Sequence, residues 1–327
     1  MRKLTILVRS PNWIGDAVVS TAILGPLRKH FQNDKIVVVA KDYVSGIFEN
    51  NPYVDDIIIF KGFKDIINKI KGDIGIILPN SFSSALLFAL SGIKRRIGYK
   101  SEMRSFLLTE AIDLPKLKKE HLVENYKRII IHLAKEENLN GFTPKLFLSE
   151  DEKKEPIFEK FSIPCKTEPV IVDPGSAYGR TKVWQVEKYA GLIDYIMNMK
   201  KLPVILLGSK DALYLVEEII KRTKNLPFVL TGKSSLRESI NVISRSKLFI
   251  SPDTGGMHIA ASLGVTQIAI FGSSSPLWTA PLNPLSHVIY KRLPCSPCFK
   301  RRCPKETYDC LKEITLEDVK EKVEELL

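Results

Sequence analysis

The sequence predicts an α/β protein built of two doubly wound domains, each a parallel sheet with helices on both faces. Apolar runs of strand length alternate with stretches of helix length, and the alternation occurs twice along the chain. The runs are apolar at successive positions instead of every second one, as expected of strands covered on both faces. At 327 residues the chain is also too long for one ordinary core and long enough for two domains of about 150 residues.

In chain order, the first series of strands is "LTILVR", "KIVVVA", "DDIIIF", "DIGIILP" and "KRRIGY", with helical stretches such as "GDAVVSTAILGPLRKHF" and "SFSSALLFALSG" between them. A charged helix, "KKEHLVENYKRIIIHLAKEENL", closes the first domain. The polar, proline-bearing stretch "SEDEKKEPIFEKFSIPCKTEP" suits a linker, with the boundary between Glu155 and Pro169. The domains are therefore expected at 1–160 and 161–327. The second series is "EPVIVDPG", "LPVILLGS", "LPFVL", "KLFISPD" and "TQIAIFG".

Composition narrows the function classes. The chain is 44% hydrophobic and 26% charged, which reads as globular. "MRKLTILVRSPNW" starts with charge, but its apolar run has only strand length, so no secretory leader is expected. No run approaches the ~18 to 20 apolar residues of a membrane span, and a cytoplasmic location is expected. A formal charge of +12 calls for an anionic partner, whether a phosphate-bearing substrate, a nucleic acid or a membrane surface. A non-catalytic binder of nucleic acid or anionic lipid needs a basic stripe with interleaved aromatics or a long basic amphipathic helix. The linker helix mixes both signs, so no nucleic-acid partner is expected.

Ligands of doubly wound sheets bind at the carboxyl ends of strands, so the turns after strands are the places to search. In "SPDTGGMHIAASLGVTQIAIFGSSSP" a strand runs through Asp253, Thr254, Gly255 and Gly256 into a helix. Glycines there let backbone N–H groups approach a ligand, and the helix dipole favours an anion. The alternative is that Asp253 or Thr254 caps the helix and the glycines make a tight turn. After the first strand, "RSPNWIGDAVVST" places Asp16 at a helix start, either as a functional carboxylate or as a first-turn acid that stabilises the dipole. "DPGSAYGRTKVW" crowds Ser176, Arg180, Thr181 and Lys182 into a loop suited to a diphosphate. "LLGSKDA" offers Ser209, Lys210 and Asp211 to a ribose or base, or an ordinary cap at Ser209. Neither G-x-G-x-x-G in the first turn nor G-x-x-x-x-G-K-[ST] anywhere is present, which weakens hydride transfer and P-loop phosphoryl transfer.

The segments "RSPNWIGDAVVSTAILGPLRKHF", "LPNSFSSALLFALSGIKRRIGY", "DPGSAYGRTKVW", "SPDTGGMHIAASLGVTQIAIFGSSSP" and "CSPCFKRRCPKETYDCL" resemble, in order and over nearly the whole chain, the ADP-heptose:lipopolysaccharide heptosyltransferases of glycosyltransferase family 9. "SPNWIGDAV" and the cysteine-rich segment resemble the type II branch more than type I. The resemblance implies a GT-B fold, two Rossmann-like domains facing across a cleft, with the last helix, 315–327, packing back toward the first domain. It implies an inverting transfer of L-glycero-D-manno-heptose from ADP-heptose to the inner-core heptose of a phosphorylated heptosyl-Kdo-lipid A acceptor. The enzyme would work as a monomer at the cytoplasmic face of the inner membrane, with no cofactor. A type I enzyme, or a transferase of another nucleotide sugar, is the alternative within the family.

The same resemblance assigns roles. Asp16 matches the family's catalytic aspartate and would take the acceptor proton, while Lys182 with Thr181 would stabilise the departing ADP. Backbone N–H groups of Thr254, Gly255, Gly256 and Met257 would hold the diphosphate. Gly256 varies in the family and only adds room. Asp253 would lie beside the sugar hydroxyls, with His258 contacting the same region or packing. Ser176, Ser209, Lys210 and Asp211 complete the expected donor set. Acceptor contacts are expected from Asn12, Asn80, Ser81, Arg95, Arg96 and Arg104, with Lys94 and Lys100 in the same basic cluster. No metal is expected: the chain lacks a D-x-D pair, Asp55 and Asp56 being adjacent. Cys295, Cys298, Cys303 and Cys310 form C-x2-C-x4-C-x6-C, open to reading as thiols, disulfides or metal ligands, and Cys165 stands apart as a bystander.

Overall fold

The computed structural model describes residues 2–62, 67, 69–115, 118–164, 166–175 and 177–327. It divides into two compact units, residues Met1–Ser149 and Glu150–Leu327. The first holds β1 (Thr5–Arg9), β2 (Lys35–Ala40), β3 (Asp56–Ile59), β4 (Ile74–Ile77), β5 (Arg95–Tyr99) and β6 (Glu110–Ile112), in the order β3-β2-β1-β4-β5-β6. All neighbours are parallel, with Leu7 opposite Val37 on one side and Gly75 on the other. The second holds β7 (Val170–Val172), β8 (Val204–Leu206), β9 (Phe228–Val229), β10 (Leu248–Pro252), β11 (Gln267–Phe271) and β12 (Ser286–Tyr290), ordered β12-β11-β10-β7-β8-β9 and again parallel.

Central strands carry runs of buried apolar residues because helices cover both faces. Leu7, Val37, Val39 and Ile77 are buried with Phe88 in the first unit, and Val170, Val172, Ile250 and Ile268 with Trp184 in the second. The expected strands are all present, and each sheet gains one at an edge. β6 is three residues long and only half-buried, and β12, "SHVIY", is polar at its start, half-buried at its ends and exposed at Val288. Edge strands with one covered face lack the continuous apolar signal of central ones.

The boundary between units falls at Ser149/Glu150 instead of after residue 160. The charged stretch that reads as a linker docks on the second unit through its own charges. Arg237 holds Glu152 in a two-pronged pair at 2.8 and 2.6 Å, and Arg245 donates to the carbonyl of Lys153 at 2.7 Å. Lys160 pairs with Glu238 at 2.9 Å. The last helix, Leu316–Leu326, buries Val319 and Val323 in the second unit's own core, and Trp184 Nε1 donates to the carbonyl of Ile314 just before it at 2.9 Å.

Candidate active site

In the second unit the strand order reverses between β7 and β10, the switch point at which doubly wound sheets take ligands. The chain leaves β10 through Asp253 and enters the helix Gly255–Ser262. Thr254 is the helix cap, its hydroxyl accepting from the Met257 N–H at 3.4 Å. The Met257 side chain lies in a small cluster with Ala269 and Phe271. Met257 therefore has its N–H committed to the cap and its side chain to the core. The N–H groups of Thr254, Gly255 and Gly256 have no acceptor among the described residues, and donors grouped at a helix start are suited to an anion. His258 is buried in the next turn.

Asp253 is 5% exposed and Lys182 15%, and their side chains pair at 2.6 Å. Thr279 donates its hydroxyl to the same carboxylate oxygen at 3.2 Å. Lys182 also stands 4.8 Å from the ring centre of Tyr178. A lysine held by a buried carboxylate beside three open N–H groups is an ion-exchange arrangement: a diphosphate can take over the ammonium while Thr279 keeps the carboxylate partly satisfied.

Asp173 follows β7 at the same switch point and escaped the sequence reading. Its carboxylate accepts from the Gly175 N–H at 3.2 Å and from the Thr254 hydroxyl at 3.3 Å. Burial pushes its pKa up from 3.8 to about 7, against the pull of those two hydrogen bonds. A Cβ on Gly256 would lie 2.8 Å from Asp173 Oδ2 and 2.9 Å from Phe249 Cζ. The second glycine is thus needed for close packing of the helix start on this carboxylate, beyond merely adding room.

The loop after β7 is clasped by the cysteine-rich segment. Tyr178 donates its hydroxyl to the Phe299 carbonyl at 2.6 Å, and Thr181 donates to the Lys300 carbonyl at 2.6 Å. Arg301 lies over the Tyr178 ring at 5.4 Å, and Gly179, at φ +134°, lets the Arg301 carbonyl approach. The Thr181 hydroxyl is therefore spent on holding the segment that positions Lys182. Cys295, Cys298, Cys303 and Cys310 are free thiols. Backbone N–H groups, Tyr308 foremost, draw the Cys303 thiol below its ordinary value, and burial pushes Cys310 up to about 11. Among the described residues no three His, Cys, Asp or Glu side chains are grouped to hold a metal ion. Ser209, Lys210 and Asp211 are exposed on a single turn after β8. Ser176 and Cys165 lie outside the described residues.

In the first unit the switch point lies between β1 and β4. Asn12 follows β1, and Asp16 sits half-buried in the first turn of the helix Ile14–Ser20. Asn80 and Ser81 follow β4, with Ser81 capping the helix Phe82–Leu90 through the Ser84 N–H at 3.4 Å. The expected arginines do not join them. Arg95 and Arg96 begin β5, at the amino edge of the sheet, opposite the strand ends that carry Asn12 and Asn80. Arg95 pairs with Glu110 and holds that carboxyl below its usual range, while Arg96 donates to the Leu107 carbonyl at 2.7 Å. Arg104 is fully buried and donates to the carbonyls of Tyr99, Pro79 and Ser81, so it pins loops instead of facing a ligand. The residue missed here is Arg9, the last of β1, buried under the same turn as Asn12. Arg9 and Asp173 shared one overlooked signal: a charged residue closing an otherwise apolar strand.

The profile of glycosyltransferase family 9 (heptosyltransferase) matches residues 64–309. The chain is 28% identical to lipopolysaccharide heptosyltransferase 2 of Salmonella typhimurium over 307 residues, covering 88% of each chain. It is 28% identical to lipooligosaccharide heptosyltransferase 2 of Haemophilus influenzae over 350 residues, covering 99% of each. Among solved structures it is similar to the ADP-heptose lipopolysaccharide heptosyltransferase II of E. coli, with 26% identity, a TM-score of 0.82, and 97% of this chain and 100% of that one covered.

Proposed function

The chain belongs to glycosyltransferase family 9, the heptosyltransferases, and from that premise we propose that it moves L-glycero-D-manno-heptose from ADP-heptose onto the inner-core heptose of lipopolysaccharide with inversion. The observation that carries the donor half is the Lys182–Asp253 pair at 2.6 Å beside the open N–H groups of Thr254, Gly255 and Gly256. The acceptor hydroxyl attacks the anomeric carbon, the bond to the β-phosphate breaks, and ADP leaves with the electron pair. Lys182 and the three N–H groups neutralise the charge gathering on the diphosphate. Asp16 takes the acceptor proton, and Asp253, relieved of part of its hold on Lys182, lies beside the sugar hydroxyls.

The acceptor belongs to the first unit in this reading, through Asn12, Asn80 and Ser81. Among the described residues no helix is long and apolar enough to cross a membrane. With a net charge of +12 the chain is suited to peripheral work, as a monomer, at the anionic cytoplasmic face of the inner membrane. Calorimetric titration with ADP, UDP and GDP tests the donor, and a preference for UDP would overturn it. Transfer to heptosyl-Kdo-lipid A, with the product anomer read by NMR, tests the rest. Retention of configuration would overturn the mechanism, and transfer to Kdo-lipid A lacking heptose would move the enzyme to type I.

A further inference from the structure

A pocket of about 100 Å³ opens in the first unit, lined by Arg9, Asn12, Lys41, Phe60, Ser83 and Ser84. These residues follow or end β1, β2, β3 and β4, so the pocket lies on the carboxyl side of the sheet at its switch point, where such folds bind ligands. A water needs only roughly 10 to 15 Å³ measured this way, so the space suits a group larger than one water.

Arg9 is only 2% exposed. Its Nη1 donates to the carbonyls of Ser10 at 2.7 Å and Val39 at 3.2 Å, and its Nη2 to Asn12 Oδ1 at 2.8 Å. The guanidinium lies 5.2 Å from the centre of the Phe60 ring, and Nε is buried with no hydrogen-bond partner. Every one of these partners is neutral. Burial lowers the pKa of Arg9 to about 10, which still leaves it charged at neutral pH. A buried cation without a counter-ion is costly, and the carbonyls it serves would be satisfied by neutral donors. Lys41, the second cation of the pocket, is half-buried, contacts the Tyr43 ring at 5.9 Å and has no carboxylate partner among the described residues. Ser83 and Ser84 bring two hydroxyls from the first turn of the nine-residue helix Phe82–Leu90, whose positive end adds to the field.

We propose that this pocket is an anion subsite of the acceptor, in which Arg9 and Lys41 hold a phosphoryl or carboxylate group of the substrate. Two cations, two hydroxyls and a helix start converge there without a carboxylate among the lining residues. The arrangement rests on the assignment of the acceptor to the first unit. It also takes over the role that sequence reading gave to Arg95, Arg96 and Arg104, all three of which are committed elsewhere.

The test measures KM for heptosyl-Kdo-lipid A, phosphorylated and enzymatically dephosphorylated, with Lys41→Gln and Arg9→Lys. Lys41→Gln is a change at a half-exposed position that leaves the core intact, so it covers the case in which Arg9→Lys fails to fold. The expected result for Lys41→Gln is a rise of about 10-fold in acceptor KM, with donor KM unchanged and recovery in Lys41→Arg. A rise confined to the phosphorylated acceptor identifies a phosphoryl group, and an equal rise for both identifies a carboxylate. Acceptor KM unchanged in Lys41→Gln for both substrates overturns the proposal. If the wild-type chain transfers no heptose at all, direct titration decides instead. Inorganic phosphate and acetate are titrated into Lys182→Ala, where the donor cation is absent, and into Lys182→Ala/Lys41→Gln. Loss of the affinity for either anion in the second variant supports the pocket, and equal affinities for both anions overturn it.

Discussion

The two sheets share one strand order, with the reversal between the first and fourth strand of each, yet their switch points are charged differently. In the second unit Lys182 is answered by Asp253, with the carboxylate of Asp173 beneath the same turn. In the first, Arg9 and Lys41 face the pocket with neutral partners only. One topology thus carries two electrostatic designs. A paired cation is ready for a ligand that competes with its partner, whereas a buried cation without a counter-ion is ready for a ligand that supplies one. The fold supplies the place, and the residues closing the strands supply the chemistry.

The comparison is broken most sharply at Asp16, the carboxylate assigned to proton removal on the first side. Asp16→Asn keeps the size and helix compatibility of the side chain but cannot accept the proton, so turnover should fall by roughly 10²- to 10⁴-fold. ADP affinity, assigned to the other unit, should stay unchanged. Steady-state transfer and calorimetry on one preparation check both, and near-normal turnover would remove Asp16 as the base.

On the second side, Asp173 tests whether the carboxylate beneath the turn is a burden. Its native pKa is raised, so the folded state holds the proton more tightly than the unfolded one. The resulting stability is fully present below the ordinary value of 3.8 and is lost as pH rises toward about 7. The span between those values corresponds to an upper bound of roughly 4 kcal/mol. Asp173→Asn should flatten stability between about pH 4 and 7, read by urea unfolding at pH 5 and 8. The same pH dependence in both proteins would rule out Asp173 as its source.

Lys182→Ala removes the paired cation and should weaken ADP binding by about 1.5 to 3 kcal/mol. Because it also strands Asp253, the double variant Lys182→Ala/Asp253→Asn is measured beside it. Stability should recover in the double variant while ADP affinity stays low; full recovery of affinity would remove Lys182 from the donor site. The smallest effect is expected from EDTA, since charge neutralisation at both switch points rests on side chains and backbone N–H groups. Turnover lost in EDTA and restored by Mg²⁺ would contradict that arrangement.

Central strands and the glycine turn were legible because their signals are local. A strand covered on both faces carries a nearly unbroken apolar run, as "IVVVA" and "IAIF" do, and the paired glycines Gly255 and Gly256 mark a helix start that packs close on its neighbours. The edge strands β6 and β12 were not legible, because half-exposed residues leave no continuous apolar run. Arg95, Arg96 and Arg104 show the opposite error. Close in sequence, they read as one basic cluster, but a strand of five residues carries its start and its end to opposite edges of the sheet.

The sequence by itself therefore determined the two Rossmann-like domains, the turn at Asp253 to Gly256 and, through the motifs of the family, the class of reaction. Tertiary structure alone decided which charges matter. Whether Lys182 meets Asp253, 71 positions away, depends on β7 and β10 lying side by side. Whether Arg9 meets a carboxylate depends on what β2, β3 and β4 bring to the end of β1. Apolar periodicity is a property of neighbours along the chain, while the pairing of a buried charge is a property of neighbours across the sheet, and only folding makes those the same residues.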